Sequence, residues 1–211
     1  MADTKISALT AATSLAGTDE FVIATAGASK KVTLTTFLTS LPIVLLHEET
    51  LGADTASFDV TSISGNYKHL KLIFQLRGTT AAGTVALNMR FNNDSGANYY
   101  RERFDVAAGS TASDADSGTT SFVDAASIAA STATANKATS GEILIPNYAT
   151  TTFFKEYVLA MHTSSSNVDG GQLLRFSGGT WNSTAAITRV TIFPASDNLL
   201  AGSRLTIYGL N

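Results

Sequence analysis

Three histidines are the first residues whose chemistry has to be considered, because imidazole binds metal ions and transfers protons near neutral pH. They are His47, His69 and His162, and each lies in or beside a segment that predicts a β-strand. Their intervals do not match the short spacings that bring metal ligands together. His47 and Glu48 begin like a His-Glu-x-x-His motif, but position 51 is leucine. The sequence therefore predicts no metal site and no cofactor.

Carboxylates and serines offer two other kinds of chemistry. Polysaccharide hydrolysis needs two carboxylates on either side of a glycosidic bond, and no Gly-x-Ser-x-Gly motif marks a nucleophilic serine. A catalytic triad assembled from distant residues and a short depolymerase stay open as alternatives, but the chain lacks the length of the β-helix in which depolymerases usually hold their sites. We predict a protein that is not an enzyme. The carboxylate candidates are Asp59, Glu102, Asp105, Asp124, Glu142 and Glu156.

Two segments rich in aspartate and asparagine are candidates for a calcium ion. They are NNDSG at 92–96 and DADSG at 114–118. Neither has the glycine at position six and the glutamate at position twelve of an EF-hand loop. The alternative interpretation is turn chemistry, because Asn and Asp tolerate left-handed backbone and form local hydrogen bonds.

Three aromatic residues are candidate glycan contacts. Tyr99, Tyr100 and Trp181 could stack on sugar rings, as aromatic side chains at the edge of a β-sandwich do. The alternative is structural: Tyr99, Arg101 and Arg103 brace neighbouring strands, and Trp181 fills a loop.

The composition excludes several classes of protein. The 211 residues include 44% hydrophobic but only 15% charged residues, the net charge is −3, and there is no cysteine. Disulfides, zinc–thiolate sites and cysteine nucleophiles are therefore excluded, and no basic surface for nucleic acid is indicated. No signal peptide is recognisable at the N-terminus. The longest apolar run of interest for a membrane, 41–46, is too short to span one, so we expect no membrane insertion.

The segment from Tyr67 to Phe91 has the clearest pattern in the chain. Apolar residues alternate with polar ones, with Ile73 as an exception, and a Gly-containing link separates the two halves. Alternation with a period of two predicts two half-buried strands, and the short link predicts that they form an antiparallel hairpin. The alternating residues are Leu70, Leu72, Phe74 and Leu76, then Val85, Leu87, Met89 and Phe91.

Similar strand patterns recur throughout the chain after residue 42, separated by turn signals. Regular spacing of this kind predicts an all-β fold, a jelly-roll-like antiparallel β-sandwich over residues 43–211. Residues 107–140 are rich in Ala, Ser and Thr, and we expect a long loop or arm there, with a strand at 121–128. The further predicted strands are 43–50, 57–62, 99–104, 142–147, 153–162, 171–178, 187–194 and 203–209.

Residues 1–42 differ in composition and predict a small hairpin followed by a short helical segment. Strands are predicted at 21–23 and 31–35, Thr35 is a candidate helix cap, and Pro42 ends the helix. A unit this small buries too little apolar area to be stable by itself. We therefore expect residues 1–42 to dock on the body, on a sister chain or on a larger assembly.

The pattern from Lys5 to Leu34, KISALTAATSLAGTDEFVIATAGASKKVTL, resembles the opening of many tailed-bacteriophage virion proteins, including tail fibres, tailspikes and head-surface fibres or decoration proteins. The segments 63–74, 87–100 and 201–211 also resemble phage structural β-sandwiches. The resemblance implies a virion structural protein in which residues 1–42 anchor and trimerise the chain. The implied anchoring residues are Ile6, Leu9, Leu15, Phe21, Val22, Leu34, Phe37 and Leu38.

The resemblance also implies the partners and the location of the chain. Its partners would be two further copies in a homotrimer and the major capsid protein or tail proteins, and it would lie on the virion surface after synthesis in the bacterial cytoplasm. The absence of a shaft repeat favours a capsid decoration (cement) protein or head-fibre knob. The alternative is a short tail-fibre or receptor-binding protein that recognises a host-surface glycan.

Overall fold

A computed structural model describes residues 16, 18–25, 28–107, 110–165 and 171–211. The chain divides into two compact units, 1–42 and 43–211, which are described separately.

The first unit contains a hairpin and a short helix. Strands β1 (Glu20–Thr25) and β2 (Ala28–Thr33) pair antiparallel, and α1 spans Leu34–Ser40. The Thr33 side chain accepts a hydrogen bond from the Thr36 backbone N–H at 3.2 Å, so the helix cap is Thr33 and not the predicted Thr35. The helix ends two residues before Pro42, because the residue that precedes a proline disfavours helical backbone.

The second unit is built from strands that form two antiparallel sheets. The larger sheet has eight strands in the order β3-β14-β5-β10-β11-β12-β7-β8, and the smaller has four in the order β4-β13-β6-β9. The strands are β3 (Ile43–Thr50), β4 (Phe58–Val60), β5 (His69–Leu76), β6 (Thr84–Phe91), β7 (Tyr99–Ala107), β8 (Ser110–Thr120), β9 (Val123–Ala129), β10 (Thr139–Pro146), β11 (Lys155–Ser164), β12 (Gln172–Trp181), β13 (Val190–Pro194) and β14 (Arg204–Leu210).

Eight of these strands have the connectivity of a jelly roll. In chain order they are β3, β4, β5, β6, β9, β10, β13 and β14. The first pairs with the last (β3 with β14), the second with the seventh (β4 with β13), the third with the sixth (β5 with β10), and the two central strands pair with each other (β6 with β9). This arrangement is a folded-over antiparallel ribbon with two Greek keys. The hairpins β7–β8 and β11–β12 are insertions that widen the larger sheet only.

The core lies between the two sheets and follows the predicted alternation. Leu70, Leu72 and Leu76 of β5 and Leu87 and Phe91 of β6 are fully buried. Each such side chain contributes about 1.5–3 kcal/mol on burial. The predicted all-β sandwich is therefore confirmed.

The predicted hairpin over residues 67–91 is wrong. Both strands are present, but β5 lies in the larger sheet and β6 in the smaller one. The link 77–83 crosses between the sheets, where the Gly78 backbone N–H donates to the Ala129 carbonyl at 2.8 Å. The physical reason is that the two apolar faces bury each other when they face across a core, whereas a hairpin would leave both on the same open side.

The predicted long loop at 107–140 is also wrong for most of its length. The edge strand β8 pairs with β7, and β9 joins the smaller sheet close to the strand predicted at 121–128. The longest described loop in this segment is 130–138. The Arg77 guanidinium donates there to the carbonyls of Ser131, Ala133, Thr134 and Lys137 at 2.7–3.3 Å. Hydrophobic alternation does not predict β8, because this strand is stabilised by backbone pairing and ion pairs rather than by a buried apolar face.

Candidate interaction surface

The outer face of the eight-stranded sheet carries most of the exposed large apolar side chains of the second unit. The inward side chains of each strand pack against the core, and the alternate ones point away from the smaller sheet. The outward apolar residues are Ile43, Leu45, Ile73, Tyr100, Phe104, Leu144, Val158, Leu174 and Phe176, each 40–59% exposed.

Five of these residues form one contiguous group, here called the apolar patch: Phe104, Leu144, Val158, Leu174 and Phe176. Phe104 lies directly opposite Phe176 in the pairing of β7 with β12, and Leu144 lies opposite Val158 in the pairing of β10 with β11. A shallow depression of about 360 Å³ lies over Phe104, Val158 and Phe176. Monomeric proteins seldom expose large contiguous apolar areas without a binding role.

Charged residues surround the apolar patch. Glu102 lies beside it on β7, and Lys71 lies on β5 beyond Leu144 and pairs with Glu142 at 2.7 Å. The Thr180 hydroxyl donates to Glu156 at 2.9 Å on the side toward Tyr100. An apolar centre with a charged rim is the usual composition of a protein–protein interface.

The structure corrects two of the three proposed glycan contacts. Tyr99 is fully buried and Trp181 is 3% exposed, so neither ring is accessible to a sugar. The Tyr99 hydroxyl donates to the Asp94 carbonyl at 3.0 Å, and burial raises the pKa of Tyr99 to about 12. Both rings face inward and pack beside Phe91, with ring centroids 5.7 Å apart for Trp181 and 6.4 Å apart for Tyr99. Tyr100 is exposed on the outer face.

The NNDSG segment is a turn whose acidic side chain is used internally. Asp94 accepts hydrogen bonds from the Gly96 backbone N–H (2.8 Å), the Asn98 amide (2.9 Å) and the Trp181 indole N–H (2.7 Å). Asn92 and Asn93 have positive φ angles, as the turn interpretation predicts. Burial raises the pKa of Asp94, but the three hydrogen bonds together lower it by more than burial raises it. The pKa of Asp94 therefore lies below the ordinary value of 3.8.

The Asp94 hydrogen bonds predict a pH-dependent stability. Because the folded-state pKa is lowered, the ionised carboxylate contributes stability above pH ~4 and loses it as the pH falls through the folded-state pKa. Asp94→Asn is expected to lower the free energy of unfolding by about 1–3 kcal/mol at pH 7, and the difference from the wild type should shrink below pH ~4. Urea unfolding at pH 7, 4 and 3 measures both effects. A difference that does not change with pH would contradict this role for Asp94.

The DADSG segment lies in β8, and its first aspartate braces the sheet. Asp114 accepts a hydrogen bond from the Arg101 guanidinium at 3.0 Å and forms an ion pair with Arg103 at 3.1 Å, both on β7. The hydrogen bond from Arg101 is the main reason that the pKa of Asp114 is lowered. Asp105 binds Arg175 of β12 through both carboxylate oxygens, at 2.7 and 2.9 Å. These ion pairs agree with the bracing interpretation of Arg101 and Arg103.

The histidines are dispersed over the larger sheet. His47 Nε2 lies 3.3 Å from a carboxylate oxygen of Glu49, His69 Nδ1 accepts from the Asn147 backbone N–H at 3.1 Å, and His162 is exposed on the outer face. Within the described ranges, no three or more His, Asp or Glu side chains converge in a way that could hold a metal ion.

Three of the candidate catalytic carboxylates are ion-paired. Asp59 binds Arg189, Asp105 binds Arg175, and Glu142 binds Lys71. The hydrogen bond from Arg189 lowers the pKa of Asp59. Glu102 and Glu156 lie on the outer face, and the side chain of Asp124 lies outside the described part of the chain.

The proposed anchoring residues belong to the first unit. Ile6, Leu9 and Leu15 lie outside the described residues. The rings of Phe21 and Phe37 pack with their centroids 6.2 Å apart and remain 37% and 48% exposed. Leu34 and Leu38 are half-buried, and Val22 is 75% exposed.

Comparisons with known proteins yield little similarity. No protein-family model and no curated protein matches the chain. Among solved structures, the chain is similar to an exo-inulinase from Aspergillus awamori, with 11% identity and a TM-score of 0.41. The similarity covers 91% of this chain and 34% of that one, so the chain spans about a third of that enzyme's length, and a likeness this low does not bear on function. In the part of the chain that the structure describes, no helix has the length and apolar character needed to cross a membrane.

Proposed function

We propose that this chain is a non-enzymatic structural protein of a bacteriophage virion. Residues 1–42 attach it to capsid or tail proteins, and the jelly-roll body lies on the particle surface as a capsid decoration or head-fibre knob. One observation supports a structural role: the apolar patch is exposed, whereas acidic side chains that could do chemistry are engaged within the fold. The patch is available for contact, whereas several of the aspartates are held by internal hydrogen bonds and ion pairs.

Two further observations support the virion role. The N-terminal pattern from Lys5 to Leu34 resembles phage attachment modules, and the whole pattern lies in the compact unit 1–42. Val22 and Phe37 of the first unit are exposed apolar residues that a partner would bury. The receptor-binding alternative loses support, because Tyr99 and Trp181 are buried.

Deletion of residues 1–42 tests the proposed attachment. We expect the remaining body to stay folded, as measured by circular dichroism, and to be absent from purified particles.

Val22→Asp in the full chain is expected to reduce the number of copies per particle by about tenfold or more, which corresponds to the loss of one apolar anchor. The copies are counted by quantitative mass spectrometry of purified virions.

Thr84→Asp is the matched control for Val22→Asp, because it adds the same charge at an exposed strand position outside residues 1–42. It should leave the number of copies unchanged. Full occupancy by the deletion variant would contradict the attachment role of residues 1–42. Absence of the wild-type chain from phage particles would refute the virion function itself.

A further inference from the structure

The outer face of the eight-stranded sheet is large enough to be a complete protein interface. Strands about 4.8 Å apart and outward residues about 6.8 Å apart along each strand give this face an area of roughly 900 Å². A stable interface buries about 800 Å² on each partner. The apolar patch occupies the part of this face over β7, β10, β11 and β12, where Phe104, Val158 and Phe176 are 47–58% exposed.

The types of residue along one row of this face indicate what covers it. Across β7, β12, β11, β10 and β5, the hydrogen-bonded register places Glu102, Gly178, Val158, Leu144 and Lys71 side by side. The row therefore begins with the acidic Glu102, ends with the basic Lys71 and has Val158 at its centre. Gly178 and Leu144 lie on either side of Val158, at equal distances from it.

Reversing this row brings residues of complementary type together. A two-fold axis that runs parallel to the strands and passes over Val158 places Glu102 of one copy over Lys71 of the other. It also places the Leu144 side chain over Gly178, which has no side chain to oppose it. Val158 then meets its own copy. The same axis also brings Glu156, the next outward residue of β11, close to its own copy at the charged rim, where the Thr180 hydroxyl donates to it. A contact of this kind is isologous, with the same patch on both partners, and it closes after two copies.

We infer that two copies of this chain associate through the outer faces of their eight-stranded sheets, with the apolar patch at the centre of a two-fold interface. This self-association goes beyond the proposed virion role, and it is measured on the isolated chain without particles. The homotrimer implied by the sequence resemblance is the competing outcome. Lys71 keeps Glu142 of its own chain as a neighbour and gains Glu102 of the other copy.

Sedimentation equilibrium of the full chain tests the inference. The expected mass is twice the 22.0 kDa of one chain. Val158→Glu should convert the dimer to monomer, because it buries two like charges against each other at the centre of the interface. Since Val158 is 58% exposed within one chain, the variant should stay folded, as measured by circular dichroism. Thr84→Glu adds the same charge at an exposed position of the smaller sheet and should leave the dimer intact.

A charge exchange tests the orientation of the two copies. Glu102→Lys alone is expected to weaken the dimer by about tenfold. Because Lys71→Glu also disturbs the pair with Glu142, its own effect is measured in the single variant, and the double variant should recover affinity relative to the sum of the two single losses. A monomeric wild-type chain, a trimer, or a dimer that Val158→Glu does not dissociate would each overturn the inference. A dimer that Val158→Glu dissociates but that shows no recovery in the double variant would overturn the two-fold orientation.

Discussion

Trp181→Ala is expected to lower the free energy of unfolding by about 3–5 kcal/mol, the usual cost of truncating a large buried aromatic side chain. Trp181 is 3% exposed, packs on Phe91, and donates its indole N–H to Asp94. The substitution therefore leaves a cavity and removes one of the hydrogen bonds that hold the 92–98 turn. Urea unfolding followed by circular dichroism measures the loss.

Two control substitutions separate the packing of Trp181 from its hydrogen bond and from surface effects. Trp181→Phe keeps most of the ring volume but removes the N–H donor, so it should cost less than alanine. Tyr100→Ala changes an exposed aromatic residue on the outer face and should have little effect on stability. A Trp181→Ala variant as stable as the wild type would contradict the buried position of this residue. Only Tyr100→Ala among the three aromatic candidates is a clean test of glycan binding.

Asp105→Ala is expected to lower the free energy of unfolding by about 3–5 kcal/mol, because it leaves a buried guanidinium without its main counter-ion. The side chain of Arg175 is 5% exposed and that of Asp105 is 13% exposed, and the two form a bidentate pair between β12 and β7. The inserted hairpins depend on this pair, since β7 and β12 are the strands that join them to each other.

A matched control is available in the Asp59–Arg189 pair. It has the same bidentate geometry, with both distances at 2.7 Å, but its side chains are 36% and 35% exposed. Asp59→Ala should therefore cost much less than Asp105→Ala, because solvent screens exposed ion pairs and hydrates the remaining charge. Equal losses for the two variants would show that burial does not determine the contribution of these pairs.

The fold class and most of the strand positions could be predicted because they depend on local alternation. Residues 69–76 alternate apart from Ile73 and form β5, and the predicted strand 203–209 nearly coincides with β14. The partition of strands between sheets could not be predicted in this way. Nothing in the 77–83 link distinguishes a hairpin turn from a crossing between layers, because that choice depends on which partners bury β5 and β6.

The aromatic candidates Tyr99 and Trp181 are harder to interpret from sequence than the apolar patch. Trp181 and Tyr99 are aromatic residues of the kind that stacks on sugar rings, but both are buried. The hydrogen-bond partner of the Trp181 indole, Asp94, is far from it in the chain. The apolar patch did leave a signal. Val158 and Phe176 are apolar residues at positions where alternation would place polar ones, as is Ile73, so a strand that is apolar on both faces indicates a second buried side.

The position of β3 determines how the body would respond to mechanical tension. β3 is an edge strand that follows directly on residues 1–42, and among the described strands it pairs with β14 alone. Its pairing begins at Ile43 opposite Leu210 and contains a register shift near Ile207. A pulling force applied at residue 42 across the direction of β3 would therefore break the β3–β14 hydrogen bonds in order, from Ile43 onward. The rest of the jelly roll would stay folded while this strand extends, so β3 would be the first strand of the body to detach under tension.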